Sequence, residues 1–541
     1  MSAALDRAME AHRAGDVAKA RAILRDAIAA QTDDATMLHM LGMIEAKAGQ
    51  VDEATRCFER ATRAAPDYEP AWISLARILM QRGEANVLAA IDRRAVDGPM
   101  GDEWLHLGAA ARHAIGDLAG AADRLDQLAD RHPGDARTGV AAARALAEAE
   151  RLEAAEQRYC EVLTTHPADR DALLGIAGLA MALNRESMLD QVMADARSAG
   201  ASDDLIALGD ALAMREKKDF AAALEAAERA RSALPEGTYH QLIGELAERV
   251  GDYRRAADAF AAMNDADRRN EPDAEAGAHR YLTDLADRRR KLSSDRPEVA
   301  PDDSRASPLF LLGFPRSGTT LLDTFLMGSS ELEVHEERGF LDAAEQAGGN
   351  IEDRRAAYWR ALGAEARYPG RLQVDKQPLG GSRAPLIQAM FPDAKYLFAL
   401  RHPCDVVWSC FATRFKLNWA MATFLTLNDA AACYDAVMTL WTEARTVLGL
   451  NVLDVRYEDL IDHPEPVLRS IAEFAGTAFD PAMLDHRTIA AKRGMIATAS
   501  HAQVVEPLYS RSNGRWRHYR EEMRSVLPTL EPWVRHFGYT L

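Results

Sequence analysis

At 541 residues the chain is too long for one compact core, and its 48% hydrophobic and 27% charged residues describe an ordinary globular composition of several domains. A net charge of −18 argues against a general nucleic-acid binder, which needs a basic excess. The charge is uneven: residues 301–541 hold 26 Lys+Arg against 30 Asp+Glu, so −14 of the −18 belongs to the first 300 residues.

The opening stretch MSAALDRAMEAHRAGD places charges within its first ten residues and has no apolar core, so no secretory signal is expected. No run of about eighteen apolar residues follows, which predicts no membrane-spanning helix. Up to about residue 263 the chain is rich in Ala, Leu, Arg, Glu and Asp with few β-branched residues, a helix-forming composition. Prolines at 66, 99, 133, 167 and 235 recur at steps of 33, 34, 34 and 68, the last being two steps of 34. In the block Leu38 to Pro66, Leu38, Leu41 and Gly42 fall on a first helix and Gly49 on the turn. Ala54, Phe58 and Ala61 fall on a second helix, and Pro66 closes the unit. Small residues are needed where two helices approach closely, and the Phe fills space toward the next unit. Trp72, Leu75, Ala76 and Gly83, then Leu107, Gly108 and Gly116, repeat the pattern. Tyr159 stands in the Phe position, Gly251 to Phe260 supplies a last second helix, and Ala201 stands where a Pro is expected. Period and residue types together resemble a tetratricopeptide array of seven or eight units over residues 1–263. A solenoid of this kind implies a peptide or protein partner on its curved surface.

Residues 264–307 are highly charged, with one helical stretch from Ala274 to Leu292 and then a Pro/Asp/Ser linker. At Leu309 the pattern changes. Leu309-Phe310-Leu311-Leu312-Gly313 reads as a buried parallel strand, followed by Phe314-Pro315-Arg316-Ser317-Gly318-Thr319-Thr320 and an amphipathic helix. Strand, glycine turn and helix aim backbone N–H groups at an anionic phosphate, and Ser317, Thr319 and Thr320 add hydroxyl donors. Gly313 and Gly318 have Walker A spacing, yet Thr319 holds the lysine position and the cation sits earlier, as Arg316. The next strong strand, Ala394 to Leu400, ends in Arg401-His402-Pro403 instead of a magnesium-binding Asp. Such a loop suits a donor whose charge is met by arginines and hydroxyls.

These two motifs, FPRSGTT and YLFALRHPCDVVWSC, resemble those of the sulfotransferase superfamily, in particular its protein-tyrosine sulfotransferase-like branch. The resemblance spans about residues 308–541. It implies an α/β P-loop-like domain with a central parallel sheet, so the whole chain is expected to be an all-α solenoid followed by an α/β domain. It implies 3′-phosphoadenosine 5′-phosphosulfate (PAPS) as sulfuryl donor, the 3′,5′-bisphosphate (PAP) as product, and no metal. Arg316, Ser317, Gly318, Thr319 and Thr320 would hold the 5′-phosphosulfate. Arg401, at a strand's carboxyl end, and Ser409, two turns into the next helix, would hold the 3′-phosphate, a role that an arginine fork and a hydroxyl also suit chemically. By the same resemblance Tyr457 lies near the nucleotide and Arg515 closes over the 3′-phosphate, with Arg511 as the second choice.

Sulfuryl transfer needs a base for the acceptor hydroxyl, cations for the moving sulfonate and a hydrogen bond for the leaving oxygen. The resemblance assigns the base to Glu337, with Glu336 as fallback and His335 third. It places Lys376 at the bridging oxygen, Ser500 near that bridge and Arg316 on the phosphosulfate. Where the branch has an arginine two residues beyond its glutamate, this chain has Gly339, with Arg338 one residue earlier. The expected acceptor is a hydroxyl, with protein tyrosine first and a small phenol, glycan or lipid hydroxyl as alternatives. The competing functions are a P-loop kinase or nucleotide hydrolase and an inactive repeat scaffold. The five cysteines, odd in number and without CxxC pairs, read as reduced thiols, so a cytoplasmic location is expected. The resemblance also implies a homodimer.

Overall fold

The computed structural model describes residues 3–30, 34–85, 87–88, 92, 101–183, 189–294, 299–301, 305–493 and 513–541. The chain divides into two compact units, residues 1–179 with 188–202 and residues 180–187 with 203–541.

In the first unit helices follow one another in pairs joined by short turns, among them Ala35–Lys47 with Val51–Ala64, Asp102–Ala114 with Leu118–Arg131, and Ala136–Glu148 with Leu152–Thr165. Part of the acidic excess is spent at helix starts. Asp34, Asp117 and Asp135 each accept backbone N–H groups of the first turn, which would otherwise be unpaired. The close approach within a pair is set by glycine: a Cβ at Gly42 would lie 2.6 Å from the Phe58 ring. Phe58 in turn joins Leu75, Ala76 and Leu79 of the following unit in one buried cluster. Gly42→Ala should therefore lower stability by about 1–3 kcal/mol, read as a lower urea midpoint, because the ring has no room to retreat. The helices Arg170–Leu183 and Leu189–Ser198 form despite the missing Pro near 201; Gly200, at φ +79°, follows the second of them.

The second unit begins with helices Asp203–Glu216, Phe220–Arg229, Glu236–Val250 and Tyr253–Asn270, then Ala274–Ser294. The helical period thus runs on past the point at which the compact units part. Gly244 and Phe260 repeat the Gly42–Phe58 packing at the same spacing, with the same 2.6 Å clearance.

The sheet has five strands, β1 (Leu309–Gly313), β2 (Leu332–Glu336), β3 (Leu372–Gln377), β4 (Lys395–Leu400) and β5 (Asn451–Arg456), in the order β2-β3-β1-β4-β5. All four pairings are parallel. The apolar run of β1 is buried throughout, as a central parallel strand requires. Leu309, Leu311, Val374 and Leu397 of the sheet pack with Leu322, Phe325 and Leu326 of the helix after β1. Parallel strands present their carboxyl ends along one edge of the sheet, which is where an open α/β sheet places its ligands.

Candidate active site

β1 leaves the sheet into Phe314–Gly318 before the Thr319–Leu326 helix begins. Two residues of this turn lie in the left-handed region, Arg316 at φ +69° and Gly318 at φ +94°. Gly318 adopts it freely, and a Cβ there would lie 2.4 Å from Cδ2 of Tyr457, so the ring also excludes any side chain. For Arg316 this conformation costs about 1–2 kcal/mol. The residue is held at both ends: its Nε donates to Ser409 Oγ at 3.1 Å, and its carbonyl accepts from Arg401 Nη1 at 3.0 Å. The Arg401 guanidinium carbon stands 4.9 Å from the centre of the Tyr457 ring. Five expected site residues, Arg316, Gly318, Arg401, Ser409 and Tyr457, are therefore gathered into one cluster beyond β1, β4 and β5. The side chains of Ser317, Thr319 and Thr320 are buried beside them. Gly318 gives the helix no side-chain cap, which leaves its first N–H groups suited to an anion.

A second cluster lies at the ends of β2 and β3. Register pairs Glu336 with Lys376. Lys376 is fully buried, and its Nζ lies 2.6 Å from Glu337 Oε1, 3.2 Å from Glu336 Oε1 and 3.7 Å from Asp323 Oδ2. Burial works against this ammonium, but Asp323, Glu337 and Glu336 outweigh it and raise its pKa above the ordinary lysine value. Glu337 sits just past β2 at φ +49°, and its N–H donates to the Lys376 carbonyl at 2.9 Å. Its side chain is 42% exposed against 13% for Glu336, so of the two carboxylates it is the one open to an acceptor. His335 alternates to the other face of β2, where Nε2 meets Gln373 Oε1 at 2.7 Å. That face does not hold Lys376.

Asp323 was not among the residues singled out in the sequence. It is fully buried on a helix whose eight residues are all buried. One carboxylate in the apolar run Leu321-Leu322-Asp323-Thr324-Phe325-Leu326 was the available signal, since a buried charge needs a partner. It links the two clusters, because its helix starts at the Phe314–Gly318 turn and its carboxylate reaches the lysine.

The structure pairs Arg515 with Glu248. Its Nε and Nη2 donate to Glu248 Oε1 and Oε2 at 2.5 and 2.8 Å, and its guanidinium carbon lies 5.9 Å from the Phe260 ring centre. Ser500 and Arg511 lie outside the described residues.

Asp375, next to Lys376 but on the opposite face of β3, accepts from the Tyr358 hydroxyl at 2.8 Å. Burial pushes its carboxyl up to about 7, with only partial relief from hydrogen bonds given by Tyr358 and Gln377. The folded pKa lies above the unfolded value, so the folded state holds the extra proton and stability from this group falls as pH rises from about 4 to 7. At about 1.4 kcal/mol per pKa unit the loss is on the order of 4 kcal/mol. Asp375→Asn should flatten the decline in melting temperature between pH 5 and pH 8; an unchanged slope would show that Asp375 is ionised throughout.

Residues 344–481 match the sulfotransferase family, and residues 36–78 match the tetratricopeptide repeat. The chain joins a tetratricopeptide repeat to a sulfotransferase domain. Protein-tyrosine sulfotransferase A of Caenorhabditis elegans is 27% identical over 273 residues, covering 44% of this chain and 70% of that protein. Protein-tyrosine sulfotransferase 2 of Gallus gallus is 24% identical over 270 residues, with the same coverage of 44% and 70%. An uncharacterized protein of Aquifex aeolicus is 26% identical over 254 residues, which span 41% of this chain and 32% of that protein. Of the sulfotransferase domain's own strands, β3 to β5 fall inside the matched residues, while β1 with its phosphate turn and β2 with Glu336 precede them. No helix among the described residues is long and apolar enough to cross a membrane.

Proposed function

We propose that the sulfotransferase domain moves a sulfuryl group from PAPS to an acceptor hydroxyl, and that the acceptor is a tyrosine of a polypeptide. The observation that carries this reading is the Glu337–Lys376 pair, 2.6 Å apart at the ends of adjacent strands and joined through Asp323 to the helix of the phosphate turn. A carboxylate and an ammonium at one point supply the base and the leaving-group donor that sulfuryl transfer needs.

In this reading Arg316 and the hydroxyls of Ser317, Thr319 and Thr320 hold the 5′-phosphosulfate, with Gly318 letting the backbone approach. Arg401, Ser409, Tyr457 and Arg515 hold the nucleotide, and Ser500 stands near the bridging oxygen. Glu337 takes the proton of the acceptor hydroxyl as its oxygen bonds to sulfur. Lys376 donates a hydrogen bond to the bridging oxygen as the old S–O bond breaks and the bisphosphate leaves. Atoms balance: one S–O bond forms, one breaks, and the proton ends on Glu337. No step in this sequence calls for a metal.

Relatives named for protein-tyrosine sulfation and a repeat type that binds polypeptides favour a protein acceptor. A cytoplasmic location, with the five cysteines kept as reduced thiols, is part of the same reading. Homodimer formation belongs to the same reading and is checked by light scattering. The decisive test is calorimetry with PAP, followed by turnover of labelled donor in magnesium-free buffer with host lysate. Nucleotide binding and label entering protein tyrosine support the proposal. No affinity for PAP, or ATP hydrolysis in its place, overturns it.

A further inference from the structure

The hairpin Glu236–Val250 and Tyr253–Asn270 has the packing of a repeat, yet its outer face meets the candidate nucleotide site. Where Phe58 packs on the next unit's Leu75 and Leu79, the equivalent Phe260 has the Trp408 ring as its neighbour, at 6.4 Å and near-perpendicular. Trp408 directly precedes Ser409 on the helix Pro403–Phe411.

The last turn of that helix is fastened to the hairpin. The buried Asn264 donates from Nδ2 to the Phe411 carbonyl at 2.9 Å, which caps a helix end that would otherwise leave its carbonyl unpaired. Three residues beyond Phe411, Arg414 donates to Asp267 from Nε at 2.8 Å and Nη2 at 2.9 Å, and from Nη1 to Thr238 Oγ1 at 2.8 Å. Ser409 sits between these anchors and the phosphate turn, since its own carbonyl accepts from Thr413 Oγ1 at 2.7 Å and its hydroxyl accepts from Arg316 Nε at 3.1 Å. The other side of the helix is tied as well: Asp405 accepts from the N–H groups of Gly514 at 2.7 Å and Trp516 at 2.9 Å. Arg515, between those two, is paired with Glu248 of the hairpin, which also accepts from the Tyr519 hydroxyl at 2.9 Å.

We propose that this hairpin is a working part of the nucleotide site, with Asn264 and Asp267 as positioning residues that hold Ser409, and through it Arg316, in register for the donor. The inference rests on the sulfotransferase reading above. A bidentate Arg–carboxylate pair whose carboxylate is buried, and a buried amide–carbonyl bond, both have fixed geometry, so they transmit position better than a single flexible contact. Asn264 and Asp267 act through Ser409 and touch no donor atom themselves.

The test is PAP affinity by calorimetry on the full chain. Asp267→Asn keeps the shape and removes the charge that holds Arg414; PAP affinity should weaken about tenfold, while in a Ser409→Ala background the same change should have little further effect, as expected for residues acting in series. Gly42→Ala, which loosens a repeat in the first unit, should leave PAP affinity unchanged and controls for general loss of stability. Asn264→Ser, which shortens the donor, is the second variant should Asp267→Asn fail to fold, and it carries the same two expectations. Wild-type binding of PAP with unaltered affinity in the variants, or effects that add fully to Ser409→Ala, overturns the inference and leaves the sulfotransferase reading standing. Absence of PAP binding in the wild type overturns both.

Discussion

Glu337→Gln is expected to reduce turnover by a factor of about 10² to 10⁴, the usual contribution of a positioned base, while PAP affinity stays within about twofold of wild type. The amide oxygen can still accept from Lys376, so the geometry at 2.6 Å is conserved and only proton acceptance is lost. Donor binding is preserved because Arg316, Arg401, Ser409 and Tyr457 are fastened to one another and do not touch the carboxylate in the described structure. Rapid-quench assays with labelled donor, alongside calorimetry, read the two effects separately. Glu336→Gln should have the smaller effect, since that carboxylate is more enclosed and farther from the lysine. Wild-type turnover in Glu337→Gln, with loss in Glu336→Gln, would move the base by one residue.

Lys376→Met is expected to cost both folding and chemistry. The ammonium is the shared counter-charge of three carboxylates, and Asp323 among them has no exposed surface. Removing one partner of a buried ion pair takes away the other's counter-charge, at about 3–5 kcal/mol. The loss should shrink on acidification, because burial of the Asp323 carboxylate without the Lys376 charge disfavours its ionised form and protonation then restores stability as pH falls. Asp323→Asn combined with Lys376→Met should recover much of the stability at pH 7 and none of the turnover. Urea midpoints at pH 5 and pH 7 for the single and double variants decide the matter. An equal loss at both pH values would mean that Asp323 does not depend on Lys376 for its charge. Turnover should fall by about 10² to 10³ in the single variant, as when one preorganised donor to a developing charge is removed.

The turn after β1 was legible because strand, turn and helix are contiguous, so Gly318, Arg316 and the hydroxyls stand in one run of twelve residues, 309–320. The parallel sheet was legible from the apolar runs Leu309–Leu312 and Tyr396–Leu400. Lys376 was reachable only by resemblance, for a lysine in Gln373-Val374-Asp375-Lys376-Gln377 looks like any strand end. Its surroundings come from three separate segments that the sheet brings side by side. Asp323 escaped notice because its partner lies on another strand, and local pattern does not report what a buried charge faces. The same holds for Glu248 and Arg515, which are 267 positions apart. Period and composition identify helices 236–250 and 253–270 as repeat-like, but they carry no information about which surface those helices cover.

The order β2-β3-β1-β4-β5 spreads the two side-chain clusters across the sheet. Arg316, Arg401, Ser409 and Tyr457 cluster around β1, β4 and β5, whereas Glu336 and Glu337 terminate the outermost strand on the opposite flank. In the proposed reading, sequence drift in the connection from β2 to β3, where Arg338 and Gly339 depart from the related pattern, would retune which hydroxyl is admitted while the Arg316 cluster stays intact. Diversification of such enzymes toward new recipients has an open margin on which to work.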